Sequence, residues 1–337
     1  MRGLGSLMGV IMKACLDAAA WRLARAGGAK NLLNRTSLAG RPRGVCRLAL
    51  VTLALAAMTG CQSKPGLSGP GIAYENAKEF FARGHSANFD HALDTLESLC
   101  NADPSNDYTD RARVLRAVIL GGEFEGFKAL SDAYEKGAAS AEDSAIRSEY
   151  NSAYRDTMRR ASEISFGFAE TAMQLTKGGQ VPKGLTLEAP YPIGLPTGPS
   201  PTLEKIEKGE RTDQVEQQDA ALAAPSVGVA KVLADILGGD QDAAKSKMTA
   251  GPVSLDRAGF ALFLASEIMS GAALYDKKHI DDPEKYKQLT GVAEGLGQAA
   301  AAALQESPSP DAAKRLKTLQ DQTKAAQKIF RTWMQQP

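Results

Sequence analysis

The chain has 337 residues, which is enough for one large or two ordinary domains. Hydrophobic residues make up 43% and aromatic residues only 6%, so the core is expected to consist mainly of Ala, Leu, Val and Ile. Its formal charge of +1 is unevenly distributed: residues 1–60 contain nine Lys/Arg and one acid, Asp17, which leaves 31 basic and 38 acidic residues for 61–337. That acidic excess argues against nucleic acid as a partner, because phosphates need a basic surface.

The first element in chain order is a secretory signal that ends at Cys61. The apolar run Leu48–Met58 has eleven residues, and an arginine-rich stretch, 41–47, precedes it. A helix that crosses a bilayer needs ~20 residues, so the run predicts a cleaved signal instead. Its ending, Met58-Thr59-Gly60-Cys61, resembles the lipobox of bacterial lipoproteins. The resemblance implies that Cys61 receives lipid and becomes the new N-terminus; an ordinary signal with a chance cysteine, or a buried core helix, is the alternative.

The lipobox resemblance implies a place in the bacterial cell envelope. Two or more acyl chains hold a protein stably on a membrane without any span. In Gram-negative lipoproteins an Asp after the cysteine favours the inner membrane, so Gln62 favours the outer membrane, facing the periplasm. The Arg-rich residues 1–40 precede this signal; they indicate a misplaced start codon or imitate a transit peptide. We exclude residues 1–60 from the fold prediction.

One cysteine remains in the body of the protein. Cys15 and Cys46 leave with the signal and Cys61 takes lipid, so Cys100 has no partner for an intrachain disulfide. Cys100 lies on the apolar face of a predicted helix, where a cysteine is expected to be buried and inert.

Residues 61–72, rich in Pro, Gly and Ser, predict a flexible tether, and helical patterning begins at residue 73. The segment 86–104 resembles the second helix of a tetratricopeptide unit. The positions that carry this resemblance are Ala87, Phe89, Ala92, Leu96, Leu99 and Pro104. About one repeat later, 114–137 has the pattern helix, Gly-Gly turn, helix, and 231–248 has it again. The sequence therefore predicts an all-α fold, with a tetratricopeptide-like domain at 73–177 or, alternatively, an irregular helical bundle.

A long amphipathic helix is predicted over 141–177, with Ser140 as its N-cap. Its apolar residues recur every 3.6 positions on average. The stripe consists of Ile146, Tyr150, Tyr154, Met158, Ala161, Ile164, Phe168, Ala172 and Leu175.

The segment 178–201 contains six prolines and interrupts the helices. It is either a free linker or an extended strap that lies on them, and its apolar residues favour the strap. These residues are Leu185, Leu187, Tyr191, Ile193 and Leu195.

The region 202–337 is predicted to be helical, with helices that begin at three N-cap sequences. These caps lie at Ser254 to Asp256, at Asp282-Pro283 and at Ser309-Pro310. The apolar segment 258–275 is just long enough to suggest a membrane span, but its glycines, serines and Glu267 favour a buried helix.

No catalytic or metal-binding constellation emerges from the sequence. His85 and His91 are six residues apart and thus on different faces of a helix, and His279 precedes acids that cap a helix. No nucleophile elbow, HExxH, Walker A or EF-hand pattern is present. We therefore predict a protein that is not an enzyme and that needs no cofactor or metal.

Two functions remain. The first is a membrane-anchored, non-catalytic helical-repeat scaffold that binds a protein or peptide in the envelope. The tetratricopeptide resemblance implies that the first helices, 73–83 and 108–119, would line its binding face. The candidate contacts are Asn76, Phe80, Arg83, Arg113 and Arg116. The alternative is an accessory lipoprotein of a tripartite ATP-independent transporter that binds a small molecule. Some of these lipoproteins are helical-repeat proteins with long helices, and the long predicted helix at 141–177 resembles that organisation.

Overall fold

Helices form nearly all of the regular structure, as the apolar periodicity predicts. The structure, a computed structural model, describes residues 69–176, 179–198 and 200–335, and within them it has ten helices and one pair of two-residue strands, so the all-α prediction is confirmed. The elements in chain order are α1 (Gly69–Ala82), α2 (Ser86–Cys100), α3 (Thr109–Ser140), α4 (Ser144–Leu175), β1 (Thr186–Leu187), α5 (Pro201–Glu207), α6 (Gln214–Leu237), α7 (Gln241–Ala250), β2 (Val253–Ser254), α8 (Arg257–Ala273), α9 (Pro283–Glu306) and α10 (Pro310–Met334).

Six of the described helices begin at a side chain that accepts a hydrogen bond from a backbone N–H in the first turn. The predicted caps of α8, α9 and α10 are confirmed: Asp256, Asp282 and Ser309 accept hydrogen bonds from backbone N–H groups in the first turn of their helices. The predicted cap of α4 is wrong. Ser140 is the last residue of α3, and the Asp143 carboxylate accepts from the N–H of Ala145 instead.

The apolar stripe of α4 faces the core along the whole 32-residue helix. All nine stripe positions are buried or half-buried, and α4 packs mainly on the equally long α3. The spacing of 3.6 residues thus predicted both the helix and the face that it buries.

The Gly-Gly turn predicted near residue 121 does not exist, because the 32-residue helix α3 runs through these glycines without interruption. Gly122 and Gly126 lie in the middle of α3, where a β-carbon would collide with Val229 and with the Ala224 carbonyl of α6. These glycines therefore let two helices cross at backbone contact rather than break one helix. The third predicted repeat is different: α6 ends at Gly238-Gly239, both with positive φ, and α7 follows.

The two helical regions share one core. Helix α3, from the first region, packs along α6 and also contacts α8, both from the second. The larger apolar cluster accordingly combines side chains of both regions, such as Phe168 of α4 and Phe263 of α8, whose rings meet edge to face at 6.2 Å.

Two apolar helices invite comparison with membrane spans. The segment 258–275 forms the buried helix α8, as expected; Leu264 and Ile268 are inaccessible to solvent. Among the described helices, α6 alone is long and apolar enough to cross a bilayer, but 61% of its most apolar window is buried inside the protein. A core helix of a soluble protein meets the same criterion, so this is weak evidence for a span.

Candidate binding groove

The proline-rich segment is docked on the helices. We call residues 179–198 the strap. Its β1 pairs antiparallel with β2, with Thr186 opposite Ser254, and the N–H of Leu255 donates to the Leu185 carbonyl at 2.9 Å. Leu187 is 1% exposed. The prolines of the strap keep it out of a helix, and hydrogen bonds from the backbone of β2 and Leu255 satisfy carbonyl groups of the strap instead.

The strap does not bury every apolar side chain that the sequence predicted. Ile193 is 74% exposed. Its backbone, not its side chain, contacts the end of α1: the N–H of Ile193 donates to the Ala82 carbonyl at 2.8 Å, and its carbonyl oxygen lies against Gly84. Tyr191 and Leu195 are half-buried.

Glu188 joins the strap to the first helices. Its carboxylate accepts from Lys78 of α1 at 3.2 Å and from Arg111 of α3 at 2.9 Å. The Tyr74 hydroxyl donates to the Glu188 carbonyl at 3.1 Å, and burial raises the pKa of Tyr74, so this phenol stays neutral and can donate. One strap residue is therefore held by three side chains from two helices.

A second set of contacts holds the beginning of the strap. Arg257 of α8 donates from Nε and Nη2 to the Val181 carbonyl, at 3.1 and 2.9 Å. The same guanidinium pairs with Glu306 of α9 at 2.8 Å, and Lys183 of the strap pairs with Glu306 at 3.0 Å. These two cations lower the pKa of Glu306. The strap is thus fixed at both ends of its described course.

A groove of about 700 Å³ runs between the second half of the strap and α7. Tyr191, Leu195 and Met248 give it apolar walls. Its charged residues carry both signs: Lys78, Glu188, Asp242 and Lys245. Ligand sites in proteins commonly have 300–1,000 Å³, apolar linings and a few polar groups that orient the ligand, so the groove has the size and chemistry of a binding site.

The predicted contact residues lie elsewhere. Asn76 and Arg83 are exposed, and the ring of the half-buried Phe80 lies tilted against the His91 ring, with 5.3 Å between their centroids. Arg113 is only 5% exposed, and its guanidinium donates to the Cys100 carbonyl at 2.9 and 3.1 Å. Arg116 donates to the Thr171 hydroxyl at 2.7 Å.

Arg113 is too buried to contact a partner, so this prediction is wrong, whereas Arg116 is half-buried and stays a prediction. Arg113 and Arg116 stabilise contacts between elements of the core, which their charge in the sequence did not reveal. None of the five residues lines the groove. Lys78, which no pattern in the sequence singles out, reaches the groove from the predicted binding helix. The apolar residues of the strap are the sequence signal that points to this region.

A cluster of ionisable groups lies outside the groove, where α3, α6 and α8 meet. Glu267 is 8% exposed and donates a hydrogen bond to Glu125, which also pairs with Lys231. Burial, together with the charge of Glu125, raises the pKa of Glu267 to about 9. Glu267 is therefore protonated at neutral pH, and the pair carries one negative charge that Lys231 balances.

Within the described ranges, no group of three or more His, Cys, Asp or Glu side chains is arranged to hold a metal ion. No family model matches the chain, and no curated protein or solved structure is significantly similar to it. Function must therefore be inferred from the groove and from the sequence of the N-terminal region.

Proposed function

We propose that this chain is a membrane-anchored, non-catalytic lipoprotein of the bacterial cell envelope whose helical body binds a protein or peptide segment in the strap groove. The observation that carries the proposal is the open groove of about 700 Å³ with apolar walls and charges of both signs. The anchor is inferred from the lipobox at Cys61, which lies outside the described residues.

An extended peptide fits the groove for two reasons. The groove follows the non-helical second half of the strap, so an elongated ligand can lie along it against α7. Prolines 190, 192 and 252 line it and donate no backbone hydrogen bond, which leaves side-chain contacts to select the ligand. Apolar ligand side chains would pack near Tyr191 and Met248, while Lys245 and Asp242 would orient charged ones.

Photocrosslinking tests this proposal directly. A photoreactive residue at position 193, on the groove rim, should capture an envelope protein in living cells. Val215 provides the matched control position, because it is an apolar side chain of similar exposure, 66%, at the start of α6. Crosslinked products specific to position 193 are expected; identical products at both positions would refute a binding groove.

A charge variant adds a second test. Lys245→Glu changes an exposed groove residue and should abolish the crosslink from position 193 without changing the fold. Lys208→Glu, an exposed lysine that follows α5, is the control and should leave the crosslink intact. Equal loss in both variants would show that overall charge, not the groove, controls capture.

The anchor has its own experiment. Cys61→Ser removes the thiol that would accept lipid, so lipid labelling should disappear and the protein should move to the soluble fraction. Unchanged membrane retention and labelling would disprove the anchor while leaving the groove untouched.

The second candidate function is a solute-binding accessory of a tripartite ATP-independent transporter. The groove volume favours it, because about 700 Å³ also suits a small molecule. Native mass spectrometry of the purified protein distinguishes the two functions: a co-purifying solute that Lys245→Glu releases supports the carrier, and a solute-free protein with a specific crosslink supports the peptide scaffold.

A further inference from the structure

The last helix carries a row of positive charge on its outward face. Helix α10 contains six basic and two acidic residues, whereas residues 61–309 contain more acidic than basic ones. Five of the six lie on one exposed face, with one acid, Asp321, among them. This face, the basic stripe, consists of Lys314, Lys317, Lys324, Lys328 and Arg331.

The spacing explains why these residues form one stripe. Steps of three, seven, four and three residues follow the helical repeat, so the side chains stay on one side over about 26 Å. Ala312, Leu319 and Ala326 occupy the opposite side and are buried against the rest of the protein. Arg315 lies off the stripe, toward Asp235; burial raises the pKa of Asp235, and the positive charges of Lys231 and Arg315 offset part of that rise.

The stripe is not neutralised by the protein itself. Several basic side chains elsewhere in the described chain pair with acids, as Lys78 and Arg111 do with Glu188 and Arg257 does with Glu306. Among the described residues, no ion pair involves any of the five cations of the basic stripe. An acidic protein that leaves one long row of cations unpaired has a surface complementary to an anionic partner.

We propose that the basic stripe of α10 binds the anionic headgroups of a phospholipid membrane. The residues of α10 that line a cleft, including Gln322 and Ile329, lie on a different face from the stripe. A straight, convex row of point charges suits a flat surface of mobile anions, whereas a protein interface is built on shape and aromatic anchors. Four of the five cations are lysines, which attract phosphate without fixed geometry.

An N-terminal lipid anchor would hold the body near a membrane, and in this respect the inference rests on the proposed function. Gly69, the first residue of α1, lies eight residue steps after Cys61. Fully extended they span at most about 28 Å, so a lipidated Cys61 would keep the body close to the bilayer. The basic stripe would then orient a body that the lipid alone merely tethers.

Vesicle binding of the unlipidated body tests the stripe independently of the anchor. Residues 63–337 form one contact unit by themselves and suit this purpose. They should co-sediment with vesicles of phosphatidylglycerol and phosphatidylethanolamine but not with vesicles of phosphatidylcholine. Because headgroup attraction is electrostatic, binding should vanish near 1 M salt, where the screening length is about 3 Å.

Charge removal locates the binding surface. The triple variant Lys317→Gln, Lys324→Gln, Lys328→Gln should weaken binding to anionic vesicles about 100-fold, because each surface cation contributes about a factor of five. The control Arg155→Gln, Lys208→Gln, Arg211→Gln removes three exposed cations from other elements and should retain binding near the wild-type value.

Several results would overturn the inference. Binding to phosphatidylcholine, no binding to anionic vesicles, or equal loss in both triple variants would each exclude headgroup recognition by the stripe. Salt-sensitive self-association that only the α10 triple variant abolishes would identify a second copy of the chain as the partner instead. If lipid labelling of Cys61 succeeds while vesicle binding of the body fails, the stripe inference alone is refuted.

Discussion

Gly228 of α6 lies directly against the backbone of Gly122 in α3. A methyl group on Gly228 would overlap the Gly122 carbonyl oxygen, and a methyl group on Gly122 would overlap Val229. The two helices therefore cross with no side chain between them. Together with Gly126, this contact places α6 close enough to α3 for the helical regions on either side of the strap to share one core.

Substitution of Gly228 should destabilise the protein although alanine is the better helix former. Gly228→Ala forces α3 and α6 apart, and overpacking of this kind costs about 1–3 kcal/mol or more. Gly291→Ala is the matched control, since Gly291 is an exposed glycine in α9 with open space around it; this change should stabilise by about 0.5–1 kcal/mol. Urea denaturation of both variants measures the difference, and equal effects would contradict the close crossing.

Limited proteolysis should spare the strap and cut first in the predicted tether before α1, which begins at Gly69 and so takes in the last four residues of the predicted range 61–72. Leu187 is buried and Glu188 is held by three side chains, so the backbone around them is protected in the folded protein. Leu187→Ala should loosen the strap at a cost of about 2–5 kcal/mol and expose it to protease. Ile193→Ala, at an exposed position, should change stability by less than about 0.5 kcal/mol. Rapid cutting of the wild-type protein between 185 and 195 would disprove the docked strap.

The buried carboxyl pair should make stability depend on pH. Glu267 keeps its proton in the folded state up to about pH 9 but loses it near pH 4.5 in the unfolded chain. Unfolding between these values releases a proton, so the free energy of unfolding falls as pH rises through this window, by up to about 1.4 kcal/mol per unit. The pKa of Glu125 is lowered, so its contribution to stability is lost as pH falls below 4.5 and does not change between pH 4.5 and 9.

Glu267→Gln should flatten this pH dependence, because the amide keeps a donor for Glu125 and has no proton to lose. The variant should match the wild-type protein near pH 5 and exceed its stability by more than about 1 kcal/mol at pH 8. Glu79→Gln, at an exposed position in α1, should leave the wild-type pH profile unchanged. A wild-type slope that persists in Glu267→Gln would show that other groups cause it.

Cys100 should resist thiol reagents until the protein unfolds. Its side chain is inaccessible to solvent, and burial raises the pKa of the thiol to about 11, so little reactive thiolate forms at neutral pH. In residues 63–337 it is the single cysteine, so labelling can be followed without ambiguity. The labelling rate should rise with urea in parallel with unfolding; fast labelling of the native body would contradict the burial.

Local patterns in the sequence determined much of the helical structure. The apolar period of 3.6 predicted α4 and its buried face, and the sequences at Asp256, Asp282 and Ser309 predicted where three helices begin. Each of these signals acts within a few residues of the chain, because helix hydrogen bonds and caps are local. The apolar residues of the strap likewise indicated that it is docked, and Leu187 follows that expectation.

Only the tertiary structure decided what depends on neighbours distant in sequence. The pair Gly238-Gly239 ends α6, whereas the pair Gly121-Gly122 lies inside α3. The helix α3 keeps its glycines because α6 packs against Gly122 and Gly126 at backbone distance. Arg113 has the charge of a surface contact, yet the Cys100 carbonyl at the end of α2 holds it inside. The groove has no local signature, since its walls come from the strap, α7 and Lys78, and a cavity exists only where such separate elements meet.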